Sequence, residues 1–428
     1  MNVDASRAAL QAWKTSPADR RFTIKVDKQL IAGTPQDKQS EANEAATLLL
    51  GLPWELIHDE KGYLFQGARP VRVRRSLPNR DQQSAVASKP PIRVLLVSPR
   101  PEDDSATYID HRSSAKPLVE ALSQLGKLAE FKLLEPPTFP ALETEITRAA
   151  ESGMPYHVVH FDGHGVYDRK HGLGMLCFED PVDVSKLEMR RSKLVGADEI
   201  ARIVRDHRIP LFFLEACQTA KAVADPGASV AGKLLESGVA SVAAMSHSVL
   251  VKTAELFISD FYKELLSGKR VGQAMLAGQR ALKSNTFRDK TFSREVHLED
   301  WFVPVLFQEE QDPVLIRELP AHQVKSVTTK QKDAALGEVP EEPAHQFLGR
   351  SRDLLKAERM LARERYLVVQ GSGGEGKTTF AAELARWLVA ARRFARAAFT
   401  SVEQITEARQ VLFSIGDQLV HRRAAVSV

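Results

Sequence analysis

Cysteine is scarce in this chain: 428 residues carry two, Cys177 and Cys217. Two thiols cannot build a disulfide framework, and a cysteine zinc site is not expected from them. Long apolar runs are lacking as well. No stretch approaches the roughly 18 apolar residues of a membrane span, and the opening "MNVDASRAALQAWK" has no apolar core of the signal-peptide kind. A dominant charge is also missing, since 59 basic and 55 acidic residues leave a net charge of +4. That is small for the length and points neither to nucleic acid nor to an anionic membrane surface. Internal repeats and strong low-complexity segments are absent. What remains is 43% hydrophobic and 27% charged, an ordinary globular composition. The length suits two or three domains, and a reducing cytoplasm is the expected location.

Hydrophobic periodicity organises the chain. "RFTIKVD" (21–27) alternates as a half-buried strand does, and "SEANEAATLLLGLPWELIHD" begins helical and breaks at Pro53. From residue 91 apolar strands alternate with helices. Strands are expected over 92–100, 157–163, 211–217, 240–246 and 301–308, and Cys177 falls mid-strand in "GMLCFED". Helices are expected over 114–126, 142–153, 196–208, 229–238, 253–268 and 271–284. This alternation predicts an α/β fold, a mostly parallel sheet covered on both faces. Residues 313–345, polar and proline-punctuated from Arg317, read as a linker. A further module opens near Phe347.

Ligands of such sheets bind beyond the C-terminal strand ends. "VVHFDGHG" (158–165) carries His164 to one such tip, and "LFFLEACQ" (211–218) carries Cys217 to another. Each alone is most simply structural, a satisfied histidine and a small buried hydrophobe. On adjacent strands they make a nucleophile and its base. Gly163 and Gly165 would give a substrate access to the backbone, and the amides of Gly165 and Cys217 are natural oxyanion donors. A metal reading of His157, His160, Asp162 and His164 fails on geometry, because His157 faces away from the other two histidines along a strand.

"HFDGHG" and "LEACQTA" resemble the two signature segments of the CHAT peptidases, caspase-like cysteine proteases of clan CD. "LPWELIHDEKGYL", "SVAAMSHSV" and "WFVPVLFQ" resemble flanking segments, so the resemblance spans roughly residues 20–310. It implies a caspase-like three-layer sandwich, with residues 1–90 as its N-terminal part and 91–312 as the peptidase core. Asp162 stands where serine is frequent and Glu215 where asparagine is frequent. An acid two residues before the cysteine resembles the metacaspase arrangement that receives a basic P1 side chain. Glu215, together with Asp162, is therefore a candidate specificity determinant. The alternative is that Glu215 pairs with a local basic residue and selects nothing.

"GSGGEGKT" (371–378) matches the phosphate-loop pattern in full, between an expected strand, "RYLVVQ" (365–370), and an expected helix. Backbone amides around Gly371, Gly373, Gly374, Gly376 and Thr379 would surround phosphates. Lys377 would reach the β- and γ-phosphates, and the Thr378 hydroxyl would hold Mg²⁺. "FLGRSRDLLKAERML" (347–361), which contains Arg350, resembles the segment that opens the NTPase module of STAND proteins of the NACHT/NB-ARC type. Asp353 departs from the usual glutamate there. Residues 346–428 then read as an incomplete P-loop NTPase α/β module. After a strand at 395–403 and one helix, no acidic Walker B strand follows, so ATP (or another NTP) with Mg²⁺ should bind weakly at best and not turn over.

The combined expectation is a regulated cysteine endopeptidase. Cys217 attacks and His164 moves the proton. The resemblance implies control by a nucleotide-dependent module that self-associates, a role in bacterial defence or programmed cell death, and a protein substrate such as a pore-forming or toxin effector. The alternative is a catalytically idle adaptor in a nucleotide-dependent switch.

Overall fold

The structure is a computed structural model. It describes residues 50, 52–60, 62–67, 70–76, 87–103, 108–124, 126–168, 173–218, 226–247, 249–291, 294–308, 311–317, 335–342, 347, 349–403 and 407–420. The chain divides into Met1–Leu52 and Pro53–Val428, and the second unit is the one described here. The strand expected at 21–27 and the helical start at 40 lie outside the described residues.

Short hairpins flank the fold: β1 (His58–Asp59) with β2 (Gly62–Tyr63), and β10 (Phe287–Thr291) with β11 (Arg294–His297). The central sheet has eight strands: β3 (Ile92–Val97), β4 (Ala129–Leu133), β5 (Val158–Asp168), β6 (Leu173–Glu179), β7 (Ser192–Gly196), β8 (Leu211–Gln218), β9 (Ser241–Met245) and β12 (Pro304–Gln308). Its main path runs β12-β9-β8-β5-β3-β4, with β6 and β7 continuing from the end of β5. The pairs β4–β3–β5–β8–β9 are parallel, while β12, β6 and β7 add antiparallel partners.

The inner parallel strands β3, β5, β8 and β9 are buried on both faces because helices cover both, while the edge strand β4 alternates. Val94, Leu96, Val158, Leu211, Phe213 and Ala243 face a core shared with α1 (His111–Gln124), α5 (Val251–Leu266) and α6 (Val271–Ser284). Phe257, Phe261 and Tyr262 of α5 are fully buried there, and each contributes about 1.5–3 kcal/mol by leaving water. The opposite parity, including Val159, Phe161, Phe212 and Leu214, is equally buried. α4 (Pro226–Glu236) packs against β5, β8 and β9. α2 (Phe139–Glu151) and α3 (Ala197–Asp206) complete the set. α2 starts where Thr138 caps it, its hydroxyl accepting from the Ala141 amide at 3.4 Å. It stops at Ser152 and Gly153, the latter at φ +69°. Among the described residues no helix is long and apolar enough to cross a membrane.

Three further helices follow: α7 (Ser351–Glu364), α8 (Lys377–Ala390) and α9 (Ala408–Val420). Leu354, Ala357, Phe380, Leu384 and Leu388 form a small cluster of their own. Trp387 and Ala391 instead join the main core. Two expectations fail here. Neither 365–370 nor 395–403 is a strand. Val368 is 67% exposed and Tyr366 71% exposed. An isolated apolar stretch has no ladder to join, and a strand without a partner does not hold. Part of the expected linker is also structured by contact: the Ala397 amide donates to Ala335 O at 2.8 Å, and the Glu338 amide to Gln418 Oε1 at 2.9 Å.

Candidate active site

His164 and Cys217 are register partners. β5 and β8 pair in parallel from Val158↔Leu211 through Gly165↔Gln218, and His164 meets Cys217. Neighbouring strands lie about 4.7–4.9 Å apart. Matching register puts His160 with Phe213, Asp162 with Glu215 and His164 with Cys217 on one face of the sheet. His164 is buried.

The strand does not end at the histidine, as its glycines suggest. β5 continues to Asp168, and beyond the end of β3 its free side is taken by β6, with Gly165 opposite Leu176. Gly165 thus has ladder neighbours on both sides, Gln218 and Leu176, and is less open than an oxyanion donor needs to be. Gly163 is a close-approach glycine: a Cβ there would lie 3.0 Å from Phe161 Cε1 and 3.4 Å from Pro99 Cδ.

Both candidate specificity carboxylates have internal partners. Asp162 Oδ2 accepts from Arg100 Nη2 at 2.5 Å and from Ser98 Oγ at 2.9 Å, and its carbonyl accepts from Arg100 Nη1 at 2.7 Å. Arg100 and Asp162 are both buried, so this ion pair is dry. Glu215 Oε2 lies 3.3 Å from His160 Nε2, and His160 Nδ1 lies 3.2 Å from the Tyr262 hydroxyl. The His160 ring stacks on Phe213 at 4.4 Å.

Burial dominates the electrostatics of this row. It pushes His160 down to about 4. It raises Glu215 well above the usual carboxylate range, the negative charge of Asp162 adding to the rise and Arg100 opposing it. It also raises the Tyr262 hydroxyl, with Glu215 adding to it. Both shifts disfavour the charged forms, which gives the His160–Glu215 contact more the character of a hydrogen bond than of an ion pair. Of the acid pair expected to receive a basic P1 side chain, Asp162 is engaged by Arg100 and Glu215 by His160. Glu215 does pair locally, but with a histidine rather than with an arginine or lysine.

The other sequence candidates separate cleanly. His157 takes the Arg93 amide on Nδ1 at 2.9 Å and meets Ser88 Oγ through Nε2, away from the His160 row. Cys177 is buried in β6, and burial pushes its thiol up to about 11, which keeps it a protonated core residue. Arg100, Ser98 and Tyr262 were not singled out by sequence reasoning, and His160 was weighed there only as a metal ligand. Their partners are 62, 64 and 102 residues away, and no local pattern signals such pairs.

The loop 371–376 leads directly into α8. Gly374 and Gly376 take positive φ, +82° and +76°, conformations that favour glycine. Gly376 is the N-cap of α8 and provides no side-chain cap, which leaves the first amides of the helix for an anion. A Cβ at Gly373, Gly374 or Gly376 would meet nothing within 4 Å. Lys377 Nζ donates to Ser372 O at 2.6 Å, folded onto its own loop. Arg350, the N-cap of α7, donates to Glu375 O at 3.2 Å and lies over the Phe380 ring at 5.4 Å. Loop and helix thus fit a phosphate, while the strand expected before them is absent.

Among solved structures the chain is similar to the crystal structure of the Arg-specific cysteine proteinase gingipain R, at 13% identity and a TM-score of 0.31, covering 53% of this chain and 48% of that one. It therefore spans about half of the gingipain chain. It is also similar to the Drosophila initiator caspase Dronc, at 10% identity and a TM-score of 0.30, covering 57% of this chain and 94% of that one. None of the curated proteins compared with it matches. The model of the CHAT domain family matches residues 44–328, well over half of the chain, and the chain belongs to that family.

Proposed function

We propose that the protein is a cysteine endopeptidase with Cys217 as nucleophile and His164 as its base. The observation that carries this reading is the register: a histidine and a cysteine 53 residues apart in sequence are direct neighbours on adjacent parallel strands. In the proposed reaction the imidazole takes the thiol proton and the thiolate adds to a peptide carbonyl. The C–N bond then breaks, and the imidazolium gives its proton to the leaving amine. Water, deprotonated by the same imidazole, releases the acyl group. The Cys217 amide is the natural oxyanion donor. The Gly165 amide joins it where substrate binding frees it from the ladder.

The 371–378 loop and α8 form a site for the phosphates of a nucleoside triphosphate with Mg²⁺. Gly373, Gly374 and Gly376 leave it open, Lys377 would turn from Ser372 to the phosphates, and Thr378 would meet the metal. When bound, the nucleotide supplies negative charge at the N-terminus of α8. The module it occupies is the one we assign to control of the peptidase.

A P1-diversified peptide library and an electrophilic peptide probe test the peptidase reading. Cleavage and covalent labelling are expected in the wild type and lost in Cys217→Ala and His164→Ala. A basic P1 preference would show as selective cleavage after Arg or Lys. Labelling that survives both substitutions would refute the dyad.

A further inference from the structure

α7 touches two places that matter. Its N-cap, Arg350, donates to the phosphate loop at Glu375 O. Nine residues on, about 13 Å along the helix, Arg359 enters a buried network beneath the catalytic strands. Arg359 Nη2 donates to Glu179 Oε1 at 3.0 Å and to Arg100 O at 3.3 Å. Its Nη1 donates to Glu102 Oε1 at 3.1 Å and to Leu187 O at 2.8 Å. The Arg100 amide donates to the same Glu179 oxygen at 3.1 Å. Arg190 holds the other oxygen at 2.6 Å. The Arg100 side chain then grips Asp162, two residues before His164.

The seam between these helices and the sheet combines apolar packing, with Trp387 and Ala391 in the main core, with ion pairs. It is crossed by ion pairs: Arg112 with Glu383 at 2.7 Å, Arg393 with Glu135 at 2.7 Å and Lys356 with Glu188 at 2.9 Å. A cavity of about 170 Å³, touched by Ser98, Glu179, Arg359 and Trp387, lies within it.

We infer that Arg359 is a positioning residue of the peptidase, and that docking of α7 through Arg359, Glu179 and Arg100 holds the Asp162–His164 strand segment in register with Cys217. This rests on the peptidase reading for its consequence, not for its geometry. A single helix joins the phosphate loop to the strand, so whatever shifts α7 at Arg350 also acts on His164. Removing Arg359 leaves the Glu179 and Glu102 carboxylates short of a buried counter-charge. The residues 98–103 that carry Arg100 then lose one of their anchors, the bonds of Arg359 to Arg100 O and Glu102.

The test uses the full chain with Arg359→Ala, Arg359→Lys and Lys356→Ala. Lys356 lies on the same helix but pairs only at the surface. Amide hydrogen exchange is followed in peptides covering 98–103, 158–165 and, as an internal reference, 142–151 of α2. The rate of Cys217 labelling by the peptide probe is followed in parallel. Arg359→Ala is expected to speed exchange at least tenfold in 98–103 and 158–165, with 142–151 unchanged, and to slow labelling by a similar factor. Arg359→Lys, which keeps the charge but not the fork, should fall between, and Lys356→Ala should match the wild type. Exchange in 158–165 that rises only in step with 142–151, or equally in Lys356→Ala, would overturn the inference. A wild type that cannot be labelled would sink the peptidase reading alone, since the exchange comparison still decides this one.

Discussion

The guanidinium of Arg100 holds Asp162 at two points, its carboxylate at 2.5 Å and its main-chain carbonyl at 2.7 Å. Both side chains are excluded from water. Arg100→Ala leaves a buried carboxylate without its counter-charge, a change that typically costs about 3–5 kcal/mol. Denaturant unfolding should show that loss. Adding Asp162→Asn should recover part of it, because the unpaired charge is gone. A double-mutant cycle that returned simple additivity would show that the pair is not coupled.

Much of the central sheet was legible because a strand buried on both faces must be continuously apolar. Ile92–Val97, Val158–Phe161, Leu211–Leu214 and Ser241–Met245 carry that signature. Ala129–Leu133 was not legible. It is a short edge strand with an alternating burial pattern, bonded on one side only. Ser192–Gly196 buries little of itself and exists through its pairing with Leu173–Glu179. The same logic explains "RYLVVQ", which has strand composition but no partner. At the site, the neighbourhood of His164 and Cys217 followed from strand order. The Arg100, Glu179 and Arg359 network did not, since its members lie 79 and 180 residues apart and charge alone does not reveal a partner.

Glu215 gives a pH-dependent stability with a definite sign. Burial, then the charge of Asp162, raise its folded pKa above the unfolded value. Such a group stabilises fully below its unfolded pKa and loses that contribution as pH rises toward the folded one. Glu215→Gln keeps a donor for His160 Nε2 and does not titrate. Near pH 4.5 the two proteins should unfold at similar temperatures. Toward pH 8 the variant should be the more stable, by up to about 1.4 kcal/mol per pH unit within the window. His160, pushed down to about 4, acts oppositely, losing stability as pH falls from about 6.5. It is common to both proteins, so their difference isolates Glu215. A difference that did not grow with pH would contradict the upward shift of Glu215.

Two glycines within helices should respond in opposite directions. At Gly278 in α6 a Cβ would lie 2.5 Å from Phe257 Cδ2 and 3.1 Å from Phe257 O. Gly278→Ala gains helix propensity of about 1 kcal/mol, but forcing α5 and α6 apart costs about 1–3 kcal/mol or more. Steric crowding should win, with a net loss of stability. At Gly416 in α9 a Cβ meets nothing within 4 Å, so Gly416→Ala should stabilise that helix by about 0.5–1 kcal/mol. Thermal unfolding of the pair, with exchange in residues 408–420 for the second, reads both signs.

The phosphate loop makes the last prediction. Lys377 is the side chain that would meet the phosphates, and at rest it donates to Ser372 O at 2.6 Å. Its loss should therefore disturb nucleotide binding without disturbing the core, since that bond lies within its own loop. Mg²⁺·ATP at a hundred times its dissociation constant should stabilise the wild type by about 2.7 kcal/mol, while Mg²⁺ alone should not. At the same concentration Lys377→Ala should lose most of that stabilisation, and Thr378→Ala should lose the part that depends on Mg²⁺. Unfolding curves with and without nucleotide, together with calorimetric titration, check this directly. Equal stabilisation of wild type and Lys377→Ala would place the nucleotide elsewhere, and no stabilisation of the wild type would remove the loop from the binding reading.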